Sequence, residues 1–177
     1  MGPSMKTILL MAMTLDGRVA RTMAHFPDWT EKEDKALFAR ISKQAGVVIM
    51  GSRTFDTLGK PLPGRKNIII TRQRARKSEW DNLVFTDRPV KEILSDLEKE
   101  GFSEAVLAGG TIINTLFAEA RLIDEIMVTV SPLVFGSGLS LFENHISMEM
   151  KLLEVRRIGD NTVFLHYKVI ETSVQEE

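Results

Sequence analysis

The chain contains no cysteine, which excludes disulfides, thiolate nucleophiles and cysteine zinc sites together. Its three histidines are scattered, so no metal-ligand spacing is available and no metal site is expected. Charge of one sign is missing as well: 23 basic against 24 acidic residues leave a net charge of −1. Such a balance creates no field that would draw in nucleic acid or an anionic membrane, so any anion has to be met by a local cluster. Nor is there a hydrophobic run of membrane length near the start. Ile8 to Met13 is apolar but far too short to cross a bilayer, and it lacks the cleavage pattern of a signal peptide. A cytoplasmic protein with no nucleic-acid or membrane partner is the expectation.

No internal repeat, linker or low-complexity segment divides the 177 residues, and 44% hydrophobic content suffices for one core. Met1-Gly2-Pro3-Ser4 ahead of a second methionine reads as a remnant preceding a natural start at Met5. Residues 5–171 then form one domain, and the acidic 172–177 a frayed tail. Lys6 to Met13 suits a central strand buried on both faces. Asp16 to Trp29 has no hydrophobic period and holds Gly17 and Pro27, so it reads as a long loop of the kind that forms functional lids. Thr30-Glu31-Lys32-Glu33 has the form of a capping box, with Thr30 as N-cap of a helix to about Gln44 whose apolar side carries Ala36, Leu37 and Ile41, with Ala45 a further candidate. Asp34 and Phe38 share a face of that helix. Asp34 fits a carboxylate facing a pocket; the alternative is a first-turn acid favoured by the helix dipole.

Val47-Val48-Ile49-Met50 and Asn67-Ile68-Ile69-Ile70 are runs of strand length. Gly51-Ser52-Arg53-Thr54-Phe55 and Pro61-Leu62-Pro63-Gly64-Arg65 lie between them and read as a short helix and a tight turn. Gly51, after a buried strand, leaves backbone N–H groups open to an anion, and Arg53, Arg65 and Arg72 offer guanidinium forks for phosphate or carboxylate. Leu83 to Phe85 is a short strand. Pro89 opens a helix with Val90, Ile93, Leu94 and Leu97 at helical spacing, ended by Gly101. Ala105 to Ala108 is a strand running into Gly109-Gly110-Thr111 and another helix, an order that lets a pyrophosphate approach the backbone. Leu122 to Ser131 reads as a strand containing Thr129. Met148 to Arg157 and Thr162 to Ile170 alternate about Gly159-Asp160-Asn161, a hairpin signal. Strands alternating with helices imply an α/β domain with a mostly parallel sheet and right-handed crossovers, closed by an antiparallel hairpin.

Met50-Gly51-x-Arg53-Thr54-Phe55 together with Pro61 to Ile69 resembles the central segment of dihydrofolate reductase. Trp29, Asp34 and Phe38 keep that family's intervals between a tryptophan closing the mobile loop, a carboxylate and a phenylalanine; the family's proline between the first two is absent. The resemblance implies the dihydrofolate reductase-like three-layer fold, a mostly parallel central sheet with helices on both faces, and NADPH as cofactor. It implies Asp34 and Thr129 as catalytic residues, with Trp29, Phe38, Leu58, Leu62 and Arg65 binding substrate and Arg65 on the folate tail carboxylate. Ala12 would meet the nicotinamide. Arg53, Thr54 and the backbone of Gly109, Gly110 and Thr111 would take the pyrophosphate, Thr71 and Arg72 the adenosine 2′-phosphate, and Gly51 and Ala108 would also bind the cofactor.

A second set, Thr14-Leu15-Asp16-Gly17-Arg18, Gly109-Gly110, Ala120 to Glu125 and Pro132 to Phe142, resembles the reductase domain of riboflavin biosynthesis. That domain shares the fold but reduces a ribosylaminopyrimidine phosphate, for which Arg18 and Arg21 would be cationic partners. The two resemblances agree on a reduced nicotinamide cofactor and differ in the small-molecule substrate. Asp34, Phe38, Arg65 and Thr129 favour dihydrofolate; a nucleotide-binding protein without turnover is the third reading. The Pro132 to Phe142 stretch is a candidate homodimer surface.

Overall fold

The computed structural model describes residues 5–23, 25, 28–144 and 146–174. Its frame is an eight-stranded sheet. Six strands are mutually parallel: β1 (Lys6–Thr14), β3 (Val47–Gly51), β4 (Lys66–Ile70), β5 (Leu83–Thr86), β6 (Glu104–Leu107) and β7 (Glu125–Ser131). The closing hairpin, β9 (Ile146–Ile158) and β10 (Thr162–Val174), enters antiparallel beside β7, giving the order β5-β4-β3-β6-β1-β7-β10-β9. The central strands read as continuous apolar runs because helices cover both faces of a parallel sheet. Val47, Val48, Ile49 and Met50 are accordingly all fully buried.

Four helices connect the parallel strands: α1 (Lys32–Ala45), α2 (Ser52–Leu58), α3 (Val90–Lys99) and α4 (Thr111–Glu119). In α3 the four apolar positions at helical spacing are the four buried ones, and they join the main core with Leu9, Ile49, Leu107 and Phe117. Phe38 and Phe55 belong to smaller clusters, packed with Leu58 at the end of α2 and Leu62 in the turn that follows. Gly46 ends α1 at φ 78, a left-handed stop that glycine takes without a Cβ penalty.

The structure departs from the sequence reading in several places. The residue ahead of α1 is Glu31, and no side chain caps the helix, so Thr30 does not close a capping box. Ala36 is exposed and Ser42 is buried, while Leu37 and Ala45 are buried as expected. The lid segment is not all loop. Arg18–Ala20 forms β2, which pairs with β8 (Leu139–Ser140) across Gly138; a Cβ there would lie 2.3 Å from the Ala20 carbonyl oxygen. Residues 24, 26 and 27 of the lid lie outside the described residues. The strand β7 starts at Glu125 rather than Leu122, because the Asp124 carboxylate accepts the Thr7 N–H (2.7 Å) and takes the place of a ladder bond. The tail expected to fray from residue 172 instead continues β10 to Val174, with Thr172 buried; 175–177 lie outside the described residues. Among the described residues no helix is long and apolar enough to cross a membrane.

Candidate active site

A cleft of about 1220 Å³ opens at the carboxyl ends of the parallel strands, where open α/β sheets bind their ligands. Of the residues singled out from the sequence, Ala12, Trp29, Asp34, Phe38, Gly51, Arg53, Thr54, Leu58, Leu62, Arg65, Thr71, Arg72, Ala108, Gly110 and Thr111 line it. Thr129 and Gly109 do not. Thr129 is almost wholly buried behind the wall, paired in register with Ala12, and reaches the cleft through another side chain. Gly109 sits at φ 88 with Met11 packed where its Cβ would be; its carbonyl accepts the Gly51 N–H at 2.9 Å.

The helix α1 brings Asp34 to one wall. Thr129 Oγ1 donates to Asp34 Oδ1 at 2.5 Å across 95 residues of chain. The Thr30 hydroxyl, freed from capping, also hydrogen-bonds this carboxylate. No cation pairs with Asp34 among the described residues. Burial pushes its carboxyl above the ordinary value of 3.8, outweighing the two hydroxyls and the Lys35 charge that pull it down. The result is a carboxylate with one edge held by hydroxyls and the rest of its acceptor capacity turned to the cleft.

On one arm of the cleft, the turn carrying Leu62 and Arg65 is pinned by two asparagines. Asn67 Oδ1 accepts Leu62 N–H (2.9 Å), and Asn67 Nδ2 donates to the carbonyls of Leu62 (3.0 Å) and Arg65 (2.9 Å). Asn82 Nδ2 donates to the same two carbonyls at 3.2 and 3.1 Å. Arg65 is only 6% exposed. Its Nε donates to Pro63 O (3.0 Å) and its Nη1 to Ser42 Oγ (2.6 Å).

The other arm runs over Gly51, Thr54 and the amino end of α4. Gly51 and Gly110 keep this wall low: a Cβ on Gly51 would press on Ile113 at 3.0 Å, and one on Gly110 on Thr54 Oγ1 at 3.4 Å. Arg53 and Arg72 line this arm exposed and without a carboxylate partner among the described residues, whereas Arg74 and Arg76 are tied to Asp87 and Asp56. Open backbone, hydroxyls and two unpaired guanidinium groups are a donor set that fits a dinucleotide with a phosphorylated ribose.

The lid is fastened by groups that sequence reasoning did not assign to it. Asp16 accepts from Thr14 Oγ1 (2.5 Å), Gly136 N (2.8 Å) and Phe135 N (3.2 Å), and this set holds its carboxyl down at about 2. Phe135 is the hub: Trp29 meets its ring edge-on at 5.4 Å, His25 at 5.9 Å, and the Arg21 guanidinium lies 4.0 Å above it. Arg18 donates to Ser140 Oγ (2.9 Å) and Gly138 O (3.3 Å). Arg18 and Arg21 are therefore engaged in holding the lid and do not line the cleft, contrary to their expected availability for a ribose phosphate. Ser42 and Asn67 were missed too. An asparagine heading a β-branched run was a signal for the second, whereas nothing in the sequence marks a serine in mid-helix. The Pro132 to Phe142 stretch divides, with Leu133 and Val134 exposed and Leu141 and Phe142 packed on the core.

Sheet order and cleft position define the dihydrofolate reductase-like fold. The chain belongs to the RibD C-terminal domain family, which matches residues 5–164. It superposes on RibD of Acinetobacter baumannii with a TM-score of 0.82 at 18% identity, covering 94% of this chain and 58% of that one. It superposes equally well in extent on dihydrofolate reductase of Enterococcus faecalis, a structure complexed with NADP(H), with a TM-score of 0.69 at 19% identity over 96% of this chain and 99% of that one. In sequence it is 34% identical over 100 residues to dihydrofolate reductase type A13 of Escherichia coli, 56% of this chain and 59% of that protein.

Proposed function

We propose that this protein is an NADPH-dependent reductase that converts dihydrofolate to tetrahydrofolate. The observation that carries the reading is the Thr129-supported Asp34 carboxylate on the wall of the cleft. Reduction of a dihydropterin needs a hydride at one ring carbon and a proton at the adjacent nitrogen; the nicotinamide supplies the hydride when bound. Asp34 accepts from the amidine edge of the pterin, orients the ring and raises its basicity. Thr129 and Thr30 hold the carboxylate in place without neutralising it. Phe38, Leu58 and Leu62 give the apolar walls of the substrate arm, and Trp29, docked on Phe135, closes it against water. Arg72 and Thr71, which line this arm, would hold the 2′-phosphate, which would favour NADPH over NADH.

A second reading, reduction of a ribosylaminopyrimidine phosphate, is favoured by the match to the RibD C-terminal domain family. Against it stands the engagement of Arg18 and Arg21 with the lid, which leaves the phosphate without those two partners. NADPH oxidation measured with each substrate separates the two. Turnover of dihydrofolate, abolished or strongly reduced in Asp34→Asn, supports the first reading; turnover of the pyrimidine alone overturns it.

A further inference from the structure

The sheet ends at β9, which has no strand on its outer side among the described residues. This edge is 13 residues long and holds no proline, the kind of open backbone that sheets cover or pair. One irregularity interrupts it: Leu152 pairs with Tyr167 and Glu154 with His166, so Leu153 is an extra residue. Alternate residues of β10 share a face, and so do their partners on β9. Met150, Leu152, Val155 and Arg157, opposite Val169, Tyr167, Leu165 and Val163, lie on one face. Glu149, Lys151, Glu154 and Arg156 lie on the other. The first face is unusually apolar for an open surface, with Met150, Leu152, Leu153 and Val155 each 40% to 55% exposed. The second is unbalanced within the chain. Lys151 stands opposite Lys168 and Glu149 opposite Glu171, like-charge pairs that oppose the hairpin. Neither Lys151 nor Glu149 has an oppositely charged partner among the described residues.

We propose that the outer edge of β9 pairs antiparallel with β9 of a second copy of this chain, about a two-fold axis between Leu152 and Leu153. The extra residues of the two strands then lie opposite each other, and the faces match on both arms. Leu152 meets Leu153 of the partner subunit, and Met150 meets Val155 of the partner subunit. On the charged face Lys151 meets Glu154 of the partner subunit, and Glu149 meets Arg156 of the partner subunit; symmetry makes each contact twice. The copy thus supplies the opposite charges that β10 withholds. Sliding the pairing by two residues keeps the faces matched along the arms but fails on charge, since Lys151 would oppose Arg156 in one direction and Glu149 would oppose Glu154 in the other. One register satisfies both the apolar and the charged face, and the exposed Leu133 and Val134 take no part in it.

The test is sedimentation equilibrium of the full chain over a concentration series. Wild type forms a dimer. Lys151→Glu and Glu154→Lys each place like charges opposite one another twice and weaken the dimer at least about tenfold. Both exchanges in one chain restore it, and an equal mixture of the two single variants dimerises where neither does alone. The chain has no cysteine, so Met150→Cys/Val155→Cys links two copies through disulfides under mild oxidation, a readout independent of the charge variants. A wild type monomeric at every concentration, charge variants that dimerise like wild type, a double exchange that fails to restore the dimer, or cross-linking through Val134→Cys but not through the β9 pair overturns the proposal.

Discussion

Replacing Asp34 by asparagine should make the protein worse at its task and better at staying folded. The exchange keeps shape and the Thr129 contact but removes the charge. Activity loses both the charge-assisted bonds to the pterin and the help with proton transfer. General acid–base assistance is worth roughly 10²- to 10⁴-fold, or about 3–5 kcal/mol of transition-state stabilisation at about 1.4 kcal/mol per decade. Stability moves the other way. The Asp34 carboxyl is held above 3.8 by burial. Between 3.8 and the raised folded value the native state therefore binds a proton that the unfolded chain does not. Stability falls as pH rises through that window and stays lowered above it. The asparagine variant lacks this slope. It should melt higher than wild type at pH 7, the advantage shrinking as pH falls through that window and gone below the unfolded carboxyl value. Steady-state kinetics with dihydrofolate, paired with thermal melts of both proteins across pH 3 to 8, measures both effects. A kcat/KM within about threefold of wild type, or a variant that melts lower at pH 7, would refute the assigned role and the assigned burial respectively.

Other perturbations have equally definite outcomes. Arg72→Ala should raise KM for NADPH by roughly 10- to 100-fold, the value of one or two charge-assisted bonds, while leaving KM for NADH nearly unchanged; parallel titrations of the two cofactors check this. Asn67→Ala should cost about 3 kcal/mol in urea denaturation, since it orphans the Leu62 N–H and strips donors from two carbonyls at a fully buried position. Asp16, with its carboxyl lowered to about 2 from 3.8, holds the Phe135–Gly136 backbone fully at pH above 3.8 and lets go as pH falls through about 2; Asp16→Asn should loosen the lid at neutral pH, read as faster amide exchange at Gly136. Gly138→Ala should separate β2 from β8, because the new Cβ would overlap the Ala20 carbonyl, and limited proteolysis between residues 18 and 29 should speed up.

The strands were legible because burial on both faces writes itself as a continuous apolar run, and α3 because four apolar residues recur at helical spacing over a short, otherwise polar segment. The lid strand β2 was not, because it is three residues long and owes its existence to β8, about 120 positions away, and to one glycine allowing close approach. The capping box misled for a physical reason: a threonine hydroxyl that could cap the helix also lies beside a desolvated carboxylate, and the carboxylate wins. Asp34 and Thr129 could be singled out individually, but their contact depends on β7 lying beside β1 in register, which no local pattern encodes.

Asp34 and Arg65 have one feature in common that ties the site to its ligand. Each is a charged group withdrawn from water, each is steadied by neutral hydroxyls, and neither has an opposite charge to answer it among the described residues. Two such groups of opposite sign could have neutralised one another; instead α1 and the turn before β4 keep them on separate parts of one wall. The fold therefore carries two electrostatic costs that a ligand with donors at one end and an anion at the other removes together, and a ligand with only one of these ends relieves only half. Under the proposed dihydrofolate reading, a bare pterin would gain the Asp34 contacts and leave Arg65 unanswered, while a simple dicarboxylate would do the reverse.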